Sequence, residues 1–596
     1  MNTSRPNLGN ERGIAMVVTL LVVLVIGALI TGAAVVGSNH MLVTRYYERE
    51  SVLENAAETG LELARAMINA DNSLYPASGF DTLENGVQVT APDGSGIPGV
   101  RRWTYVGPSG VTSGQYGVFG SIVTVVRDAG GGRVIRRQQI NQESFAKYAY
   151  FTDVEPSNIR FGGGDAIWGP VHSNSPIRIW SSGATFHSSV RTAQDVQDGH
   201  YATFHQGYEE YVPSIAMPNT AELDKLRIQA QAGNSHFTND DTQGHGETTM
   251  RIEFVAVDMN LDGDVTDENE GFVKVYRNTT DPDHVTAEED GWSGTGTDLQ
   301  YSTSCGKVAS DGQFYTMLEY RSGLDPDADG WADAAASSDR RCLLGGDDRL
   351  NYPTDTFVPN DAFGGAWLQW GGTPDTALVN RVGALYAQYL HPINRPLNPD
   401  FKGVIMVDGK VAISGTLRGR VTVAATNDII LADDYTYATD PGDPNRACAD
   451  ILGIFSGDDV VVADNALNTA VPTTSDTGGL RSFDETPDEF FEGIVLALDI
   501  FTVEDYDDGP SSTEACDATS WGRGCLRLTG GIIQRTRGAV GTGGGTGYLK
   551  RYSYDQCGAE APPPYFPTTG HFVKNQYYYV NPVNFNITNY WSLITP

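Results

Sequence analysis

The run IAMVVTLLVVLVIGALITGAAVVG occupies residues 14–37 and contains no charged side chain. Its length of 24 residues exceeds the roughly 20 apolar residues that a helix needs to cross a bilayer. Arg5, Glu11 and Arg12 precede the run, and the arginines favour a cytoplasmic N-terminus because basic residues tend to stay on that side. The sequence therefore predicts a membrane-spanning helix at 14–37.

An amphipathic pattern, and not a turn, follows the apolar run. Apolar residues recur there at three-and-four spacing, which is the period of one helix face. They are Leu53, Ala56, Ala57, Gly60, Leu61, Ala64, Met67 and Ile68. The charged residues between them are Arg45, Glu48, Glu50, Glu54, Glu58, Glu62 and Arg65. One helix over 14–70 would be about 85 Å long, with its first half in lipid and its second half beneath a soluble domain.

The charged leader, the apolar run and the amphipathic continuation together resemble the N-terminus of PilX-type minor pilins, a family of type IV pilus proteins. These pilins read RGxALVxxLxxL and, later, an alanine-rich AAExGLxxA. The corresponding residues are Arg12, Gly13, Ile14, Ala15, Met16 and Val17, then Ala56, Ala57, Glu58, Gly60, Leu61 and Ala64. The resemblance implies that residues 1–13 are a prepilin leader, that a prepilin peptidase cuts after Gly13, and that Ile14 becomes a methylated N-terminus.

Val18 departs from the pattern of major pilins, which usually carry Glu at the fifth mature position. That carboxylate neutralises the buried α-amino group of a neighbouring subunit in the filament. A subunit without it leaves a buried ammonium group uncompensated, at a cost on the order of several kcal/mol. We therefore expect a location where no neighbour needs this partner, which is the filament tip, and a role in priming.

Other N-terminal signals could also contain this apolar run. A simple signal anchor is one alternative, and a cleaved secretory signal with a small-residue site near Ala33 and Ala34 is another. Neither alternative predicts the amphipathic extension that follows.

The charge of the chain restricts its partners. The 596 residues carry 40 Lys and Arg against 75 Asp and Glu, a formal net charge of −35. Phosphate would be repelled over most of such a surface, which excludes nucleic acid as an expected partner. The excess of carboxylates suits divalent cations, a saline medium or both, although net negative charge also keeps a secreted protein soluble.

The length exceeds one hydrophobic core, so several domains are expected. Residues 71–147 predict an antiparallel sheet beneath the helix. Short apolar runs separated by glycine at 148–205 and 401–596 predict a mainly-β region of the solenoid or sandwich type. Residues 206–400 form a polar, acidic insertion. The expected fold class is α+β, with a long N-terminal pilin helix packed on an antiparallel sheet and followed by a large mainly-β ectodomain with a calcium-loop insertion.

The segment DMNLDGDVTDENEG at 258–271 has the spacing of a calcium loop. Oxygen-bearing side chains alternate along it, and Gly263 at the sixth position permits a sharp turn. These side chains are Asp258, Asn260, Asp262 and Asp264. Asn269 takes the twelfth position, where an EF-hand has Glu, so Asp267, Glu268 or Glu270 would have to complete the shell. A solvated acidic turn is the alternative reading.

A second acidic segment, DPDADGWAD, resembles the short loops of thrombospondin type 3 repeats. Its possible ligands for calcium are Asp325, Asp327, Asp329 and Asp333. Asp-Pro and Asp-Gly also favour an ordinary turn. The segment lies between Cys305 and Cys342, which would make it a disulfide-closed, metal-stiffened loop.

The cysteines predict disulfides in an oxidising compartment. Their number is even, and none forms a CxxC pair, so a zinc ribbon or thioredoxin-type site has no support. They are Cys305, Cys342, Cys448, Cys516, Cys525 and Cys557. Proximity in sequence favours Cys516 with Cys525, and Cys305 with Cys342, while other pairings remain open.

Catalytic signatures are missing from the sequence. The glycine runs at 162–164 and 541–547 lack the Lys-Ser or Lys-Thr of a phosphate loop, and the chain has neither HExxH nor GxSxG. We therefore expect a filament subunit and not an enzyme, located in the inner membrane before assembly and on the cell surface afterwards. By resemblance, its partners are major and minor pilins, a pilus tip adhesin and the inner-membrane assembly platform. The alternatives are a tip pseudopilin of a type II secretion system and a membrane-tethered β-helix that binds or cleaves polysaccharide.

Overall fold

The computed structural model describes residues 11–110, 117–239, 248–279, 366–443, 446–463, 489–504, 506–507 and 524–595. It also describes short strands at 307–308, 314–315, 471–472, 480–482, 515–516 and 519–520. The chain divides into two compact units. Unit 1 comprises Met1–Val111, Phe119–Asn141 and Phe572–Pro596, and unit 2 comprises Thr112–Val118 and Gln142–His571.

Helices and strands are numbered in chain order. The α-helices are α1 (Glu11–Ala70), α2 (Ala221–Ala232), α3 (Thr376–Val382), α4 (Cys557–Glu560) and α5 (Ile587–Ile594). The first strands are β1 (Asp81–Thr90), β2 (Gly96–Pro108), β3 (Phe119–Arg127), β4 (Arg133–Ser144), β5 (Tyr150–Val154), β6 (Asp165–Trp168), β7 (Val171–Ser173), β8 (Ile177–Arg178), β9 (Ala184–Phe186), β10 (Val190–Thr192), β11 (Val196–Gln197), β12 (Ala202–Phe204) and β13 (Tyr208–Glu209). The middle strands are β14 (His236–Thr238), β15 (Met250–Ala256), β16 (Gly271–Arg277), β17 (Lys307–Val308), β18 (Phe314–Tyr315), β19 (Ala366–Trp367) and β20 (His391–Pro392). The last strands are β21 (Val404–Asp408), β22 (Val411–Leu417), β23 (Arg420–Ala425), β24 (Ile429–Tyr437), β25 (Ile451–Ser456), β26 (Val460–Val462), β27 (Val471–Pro472), β28 (Leu480–Ser482), β29 (Glu489–Val503), β30 (Ala515–Cys516), β31 (Thr519–Ser520), β32 (Gly524–Arg537), β33 (Tyr548–Tyr554) and β34 (Thr568–Tyr579).

Unit 1 is a long helix packed on a sheet. The strand order is β1-β2-β3-β4-β34, and β1 to β4 pair antiparallel in sequence order. The predicted apolar face of α1 is the face that is buried. Its residues Leu53, Ala56, Ala57, Leu61, Ala64 and Ile68 are each at most 4% exposed. Met67 is the exception at 37% exposed.

Unit 2 is a parallel β-solenoid. One continuous ladder of parallel pairs runs in the order β13, β10, β7, β5, β32, β29, β25, β23, β21 and β14. A second parallel ladder joins β12, β9, β6, β33 and the first half of β32. Because each strand bonds to the next coil, apolar side chains stack inside the coils, as Tyr435 does on Phe491 with ring centroids 4.9 Å apart.

The chain builds this solenoid from both sides. Strands β5 to β13 wind away from a central position, and strands β21 to β33 wind towards it from the far end. The two runs meet where Tyr150 of β5 pairs with Ile532 of β32. Residues that are hundreds of positions apart in sequence are therefore next-door neighbours in the ladder.

The expected fold class is confirmed: a long N-terminal helix on an antiparallel sheet is followed by a large sheet-rich region. The domain limits differ from the predicted ones. Residues 572–596, which were predicted to belong with 401–571, lie in unit 1, and residues 112–118 and 142–147 of the predicted segment 71–147 lie in unit 2. Strands β13, β14, β15, β16, β19 and β20 lie within the predicted insertion 206–400 but pair into the solenoid sheet.

Two disulfides are present among the described residues. One joins Cys516 to Cys525, a pair that proximity favoured. The other joins Cys448 to Cys557, across a sequence separation of 109. Cys305 and Cys342 lie outside the described residues.

Candidate functional site

The N-terminal half of α1 is exposed along its whole length. Every residue from 14 to 49 is exposed. The most apolar 18-residue window of this helix has a mean hydropathy of 3.0 and none of it is buried in the structure. By length and composition α1 is able to cross a membrane, as the sequence predicts for residues 14–37.

Threonine hydroxyl groups in this half of α1 donate hydrogen bonds to carbonyl groups of the helix backbone. Thr19 Oγ1 donates to the Ala15 carbonyl at 3.0 Å, and Thr31 Oγ1 donates to the Gly27 carbonyl at 2.8 Å. Such back-bonding removes the need for an outside partner in an apolar medium. The two threonines therefore do not oppose burial of this half in lipid.

The residues of the predicted processing site lie at the start of α1. Gly13 continues the helical backbone, and Ile14 is 66% exposed. Val18, which stands where major pilins usually carry Glu, is 51% exposed. Residues 1–10 of the predicted leader lie outside the described part of the chain.

Ion pairs join the second half of α1 to the sheet of unit 1. Arg49 pairs with Asp128, and Glu54 pairs with Arg136. The Arg49 guanidinium holds the pKa of the Asp128 carboxyl below its usual value. The charged residues that alternate with the apolar face of α1 are therefore in part specific contacts and in part solvated.

The first predicted calcium loop joins β15 to β16, which pair antiparallel. Its side chains bond to the backbone of the loop itself. Asp258 Oδ1 accepts from the Leu261 amide at 2.6 Å, and Asp258 Oδ2 accepts from the Gly263 amide at 3.2 Å. Gly263 has a φ of 96°, a conformation that glycine adopts without strain. The loop is shaped by these bonds before any cation is added.

The next three alternating residues repeat this arrangement. Asn260 Oδ1 accepts from the Asp262 amide at 2.9 Å, and Asp262 Oδ1 accepts from the Asp264 amide at 3.2 Å. Asp264 Oδ1 accepts from the amide of Thr266 at 2.9 Å and from its hydroxyl at 2.7 Å. The Thr266 hydroxyl bond is the main reason that the pKa of Asp264 lies below its usual value. The Asp264 carboxylate is thus favoured in the charged form that a cation requires.

Glu270 has a structural position in the loop. It is fully buried, and its Oε1 and Oε2 accept from the amides of Met259 and Asp267, each at 2.8 Å. Both carboxylate oxygens are engaged in closing the loop, so Glu270 is a poor candidate to complete a calcium shell. Asp267 and Glu268 are exposed, and Asp267 Oδ2 accepts from Asn260 Nδ2 at 2.8 Å.

Arg418 supports the loop from the neighbouring coil. Its Nε donates to the Asp267 carbonyl at 2.9 Å, and its Nη2 donates to the Thr266 carbonyl. The same guanidinium pairs with buried Asp450 at 2.7 Å. The loop is therefore fixed to the solenoid through its backbone, which leaves its exposed carboxylates free of this contact.

The second predicted loop, with Asp325, Asp327, Asp329 and Asp333, lies outside the described residues. It stays a prediction from the sequence.

Sequence reasoning missed a different carboxylate cluster. Within the described part of the chain, the set of three carboxylates whose oxygens lie within 4.8 Å of one another is Asp428, Asp458 and Asp459, and no such set occurs in the loop at 258–271. Asp459 N donates to Asp428 Oδ1 at 3.1 Å, and Lys410 Nζ lies 3.0 Å from Asp428 Oδ2. Parallel coils bring these residues together because each precedes a strand at the same corner.

The crowding of this cluster alters its protonation. Burial raises the pKa of Asp459 to about 6 against the opposing effect of the Ile500 amide, and neighbouring carboxylates add to the rise. Burial is also the first cause of the raised pKa of Asp458, followed by the charge of Asp428. An aspartate directly before a valine or isoleucine strand, as in NDI and DDV, was the available signal, but uneven spacing concealed it.

Comparisons with known proteins give the following result. No protein-family model matches the sequence, and no curated protein matches it. Among solved structures, the chain is similar to the crystal structure of the competence-associated pilin ComZ from Thermus thermophilus, with 12% sequence identity. The alignment covers 88% of this chain and 96% of that chain at a TM-score of 0.25. A likeness at this TM-score supports no conclusion about fold or function.

Proposed function

We propose that this chain is a minor pilin-like subunit of a type IV pilus and has no enzymatic role. One observation carries the proposal: a continuous helix, α1, is apolar and exposed in its first half and buried on an antiparallel sheet in its second half. A helix of this kind can be held in the inner membrane and later exchange lipid for the helices of other subunits. Its expected partners are the major and minor pilins, with the inner-membrane assembly platform and prepilin peptidase acting on it before assembly.

The proposed position is the filament tip, where the subunit would prime assembly, take part in surface adhesion and contact a tip adhesin. Val18 supports the position, since a subunit with valine there offers no carboxylate to a neighbour's α-amino group. The sharpest variant is Val18→Glu, which restores that carboxylate. Immunogold labelling should find the wild-type chain at filament ends and the variant also along the shaft. Even labelling of the wild-type chain along shafts would contradict the tip position.

We also propose that the loop at 258–271 binds calcium through the side chains of Asp258, Asn260, Asp262 and Asp264, with Asp267 or Glu268 completing the shell. Two observations support this. The side chains alternate along the loop and accept hydrogen bonds from its backbone amides, and Gly263 has the positive φ that permits a sharp turn. Bound calcium would offset repulsion among the carboxylates and stiffen the connection between β15 and β16.

The deciding experiment is N-terminal mass spectrometry on the chain recovered from sheared filaments. The proposal expects a peptide that begins at methylated Ile14. A Gly13→Glu variant, in which the residue before the expected cut is changed, should keep its leader and stay in the membrane fraction.

Two results would contradict the proposal. A mature chain that begins after Ala34 and is free of any filament would indicate a secreted protein. Loss of protein secretion without loss of filaments in a deletion strain would favour the tip pseudopilin of a type II secretion system.

A further inference from the structure

A cavity opens on the solenoid where strands from distant parts of the chain meet. Its volume is about 320 Å³. It is lined by the segment between β5 and β6, by the turn after β8, and by residues around the start of β33. The lining residues that carry chemistry are Arg160, Asp165, Trp180, Ser182, Tyr506 and Lys550.

Trp180 forms one wall and does not belong to the hydrophobic core. Its side chain is 51% exposed. The Arg160 guanidinium lies 5.3 Å from the centroid of its ring, which fixes the ring by a cation–π contact. A large aromatic side chain that is half in water stabilises the fold little. The exposed part of the ring is available to a ligand.

The backbone is shaped to hold Trp180 in this position. A Cβ atom on Gly162 would lie 2.6 Å from Trp180 Cβ, so only glycine permits the approach of the two chains. The Gly163 amide donates to Ser182 Oγ at 2.6 Å, which ties the two walls together. The tryptophan is therefore presented by a rigid frame of neighbouring backbone.

Lys550 and Asp165 supply the polar groups of the cavity. Lys550 Nζ lies 3.3 Å from both oxygens of Asp165, and Asp165 Oδ2 also accepts from the Gly162 amide at 3.0 Å. Asp165 is 2% exposed and the Lys550 side chain is 14% exposed. An ammonium group has three N–H donors. Within the described residues the contacts of Lys550 go to this one carboxylate, so donor capacity remains for a ligand.

The chemistry of these groups matches a sugar ring. An aromatic face packs against the apolar face of a pyranose, while an adjacent ammonium and carboxylate donate to and accept from its hydroxyl groups. The volume is near the lower end of the range for ligand pockets, about 300 to 1,000 Å³, which suits one ring or the end of a glycan chain.

The charges around the cavity favour a neutral sugar over an acidic one. Arg160 pairs with Asp198 at 3.0 Å, and Lys550 pairs with Asp165, so the cations of the cavity are balanced. The chain as a whole carries a net charge of −35, which repels polyanions. We infer that the cavity at Trp180 binds a neutral pyranose unit of a glycan, with the ring stacked on Trp180 and its hydroxyl groups bonded to Lys550 and Asp165. This inference does not depend on the filament proposal, because all the residues belong to unit 2.

The experiment uses the full chain in nanodiscs. Its probes are immobilised neutral oligosaccharides that end in glucose, galactose, mannose or N-acetylglucosamine, with hyaluronan as an acidic comparison. The inference expects binding to at least one neutral probe and none to hyaluronan. Trp180→Ala should weaken that binding by about tenfold or more, and Trp180→Phe should retain most of it.

Trp168→Ala is the matched control. Trp168 is also half-exposed, at 41%, but stacks on His187 with ring centroids 4.6 Å apart and does not line the cavity. Its removal should leave binding unchanged. Equal loss in both alanine variants would assign the binding to unspecific aromatic contact and overturn the inference.

A further measurement avoids any dependence on variant folding. Saturation-transfer NMR on the wild-type chain should show contact with the ring protons of the bound sugar, and deoxy analogues that lack one hydroxyl group should bind more weakly. No binding to any neutral probe, binding to hyaluronan alone, or equal binding of every deoxy analogue would each overturn the inference.

Discussion

Arg102 crosses α1 directly beneath Gly60. A Cβ atom on Gly60 would lie 2.6 Å from Arg102 Cδ, and the guanidinium Nη1 donates to the Ala56 carbonyl at 3.1 Å. The same guanidinium pairs with Glu84 of β1 at 2.6 Å. One glycine thus admits a buried arginine that joins the helix backbone to the sheet.

Gly60→Ala should destabilise unit 1. A methyl group at this position would displace Arg102 and Thr124, and overpacking of this kind costs about 1–3 kcal/mol. The gain in helix propensity, about 1 kcal/mol, offsets part of that cost. Because two buried side chains must move, the cost should lie in the upper part of that range, which leaves a net loss of about 1–2 kcal/mol in urea unfolding. Thr59→Ala, at an exposed neighbouring position, is the control and should be nearly neutral. Equal stability of the two variants would contradict the close packing at Gly60.

Asp459→Asn should stabilise the protein at neutral pH. Folding raises the pKa of Asp459 from 3.8 to about 6, so the native state favours the protonated carboxyl. Its contribution is fully present below pH 4 and is lost as the pH rises through 6. Because this side chain is only half-buried, solvent screening reduces the expected gain at pH 7.5 to about 1 kcal/mol. Thermal unfolding of both proteins across this pH range measures it. A constant difference from pH 4 to 7.5 would contradict the assignment.

Calcium should raise the melting temperature, and excess chelator should lower it. Binding to the folded state alone adds about 2.7 kcal/mol at a free concentration one hundred times the Kd. Asp262→Asn in the loop should abolish the shift, whereas Asp458→Asn in the other carboxylate cluster should preserve it. Loss of the shift in Asp458→Asn but not in Asp262→Asn would instead assign calcium binding to Asp428, Asp458 and Asp459. An unchanged melting curve in excess chelator would end the calcium proposal.

The two disulfides should differ in their contribution to stability. Cys448 and Cys557 are separated by 109 positions, and Cys516 and Cys525 by 9. Loop-closure entropy predicts about 5 kcal/mol for the first and about 2.5 kcal/mol for the second. Paired Cys→Ala variants, compared by denaturant unfolding, test the order. A larger loss at Cys516 and Cys525 would contradict it.

The helix and its buried face were predictable because a single period of 3.6 residues specifies both. The rule failed at Met67, which the pattern places on the buried face and which is 37% exposed. The period identifies a helix face but not the exposure of each residue on it, which depends on what the neighbouring elements cover.

The solenoid was harder to predict because its period is irregular. Ile405, Val423, Ile454 and Val495 occupy one position in four successive coils, at spacings of 18, 31 and 41 residues. Insertions at the corners lengthen the later coils and conceal the repeat. Pairing of Tyr150 with Ile532 is also beyond any local rule, because strand propensity does not name a distant partner.

For the candidate sites too, local features were predictable from the sequence and long-range contacts were not. The loop at 258–271 is contiguous, so its ligand types were visible, but the sequence could not show that Glu270 closes the loop with both oxygens. The cavity at Trp180 combines the segment around 160–182 with Lys550, and no sequence window contains both.

Strand β34, at the edge of the sheet that carries α1, comes from residues 568–579, which follow nearly all of unit 2 in the chain. The sheet beneath the helix is therefore incomplete until the chain has been synthesised through residue 579. A product truncated within unit 2 would keep the apolar helix but lack this edge strand. Completion of the small sheet thus depends on synthesis of the large solenoid.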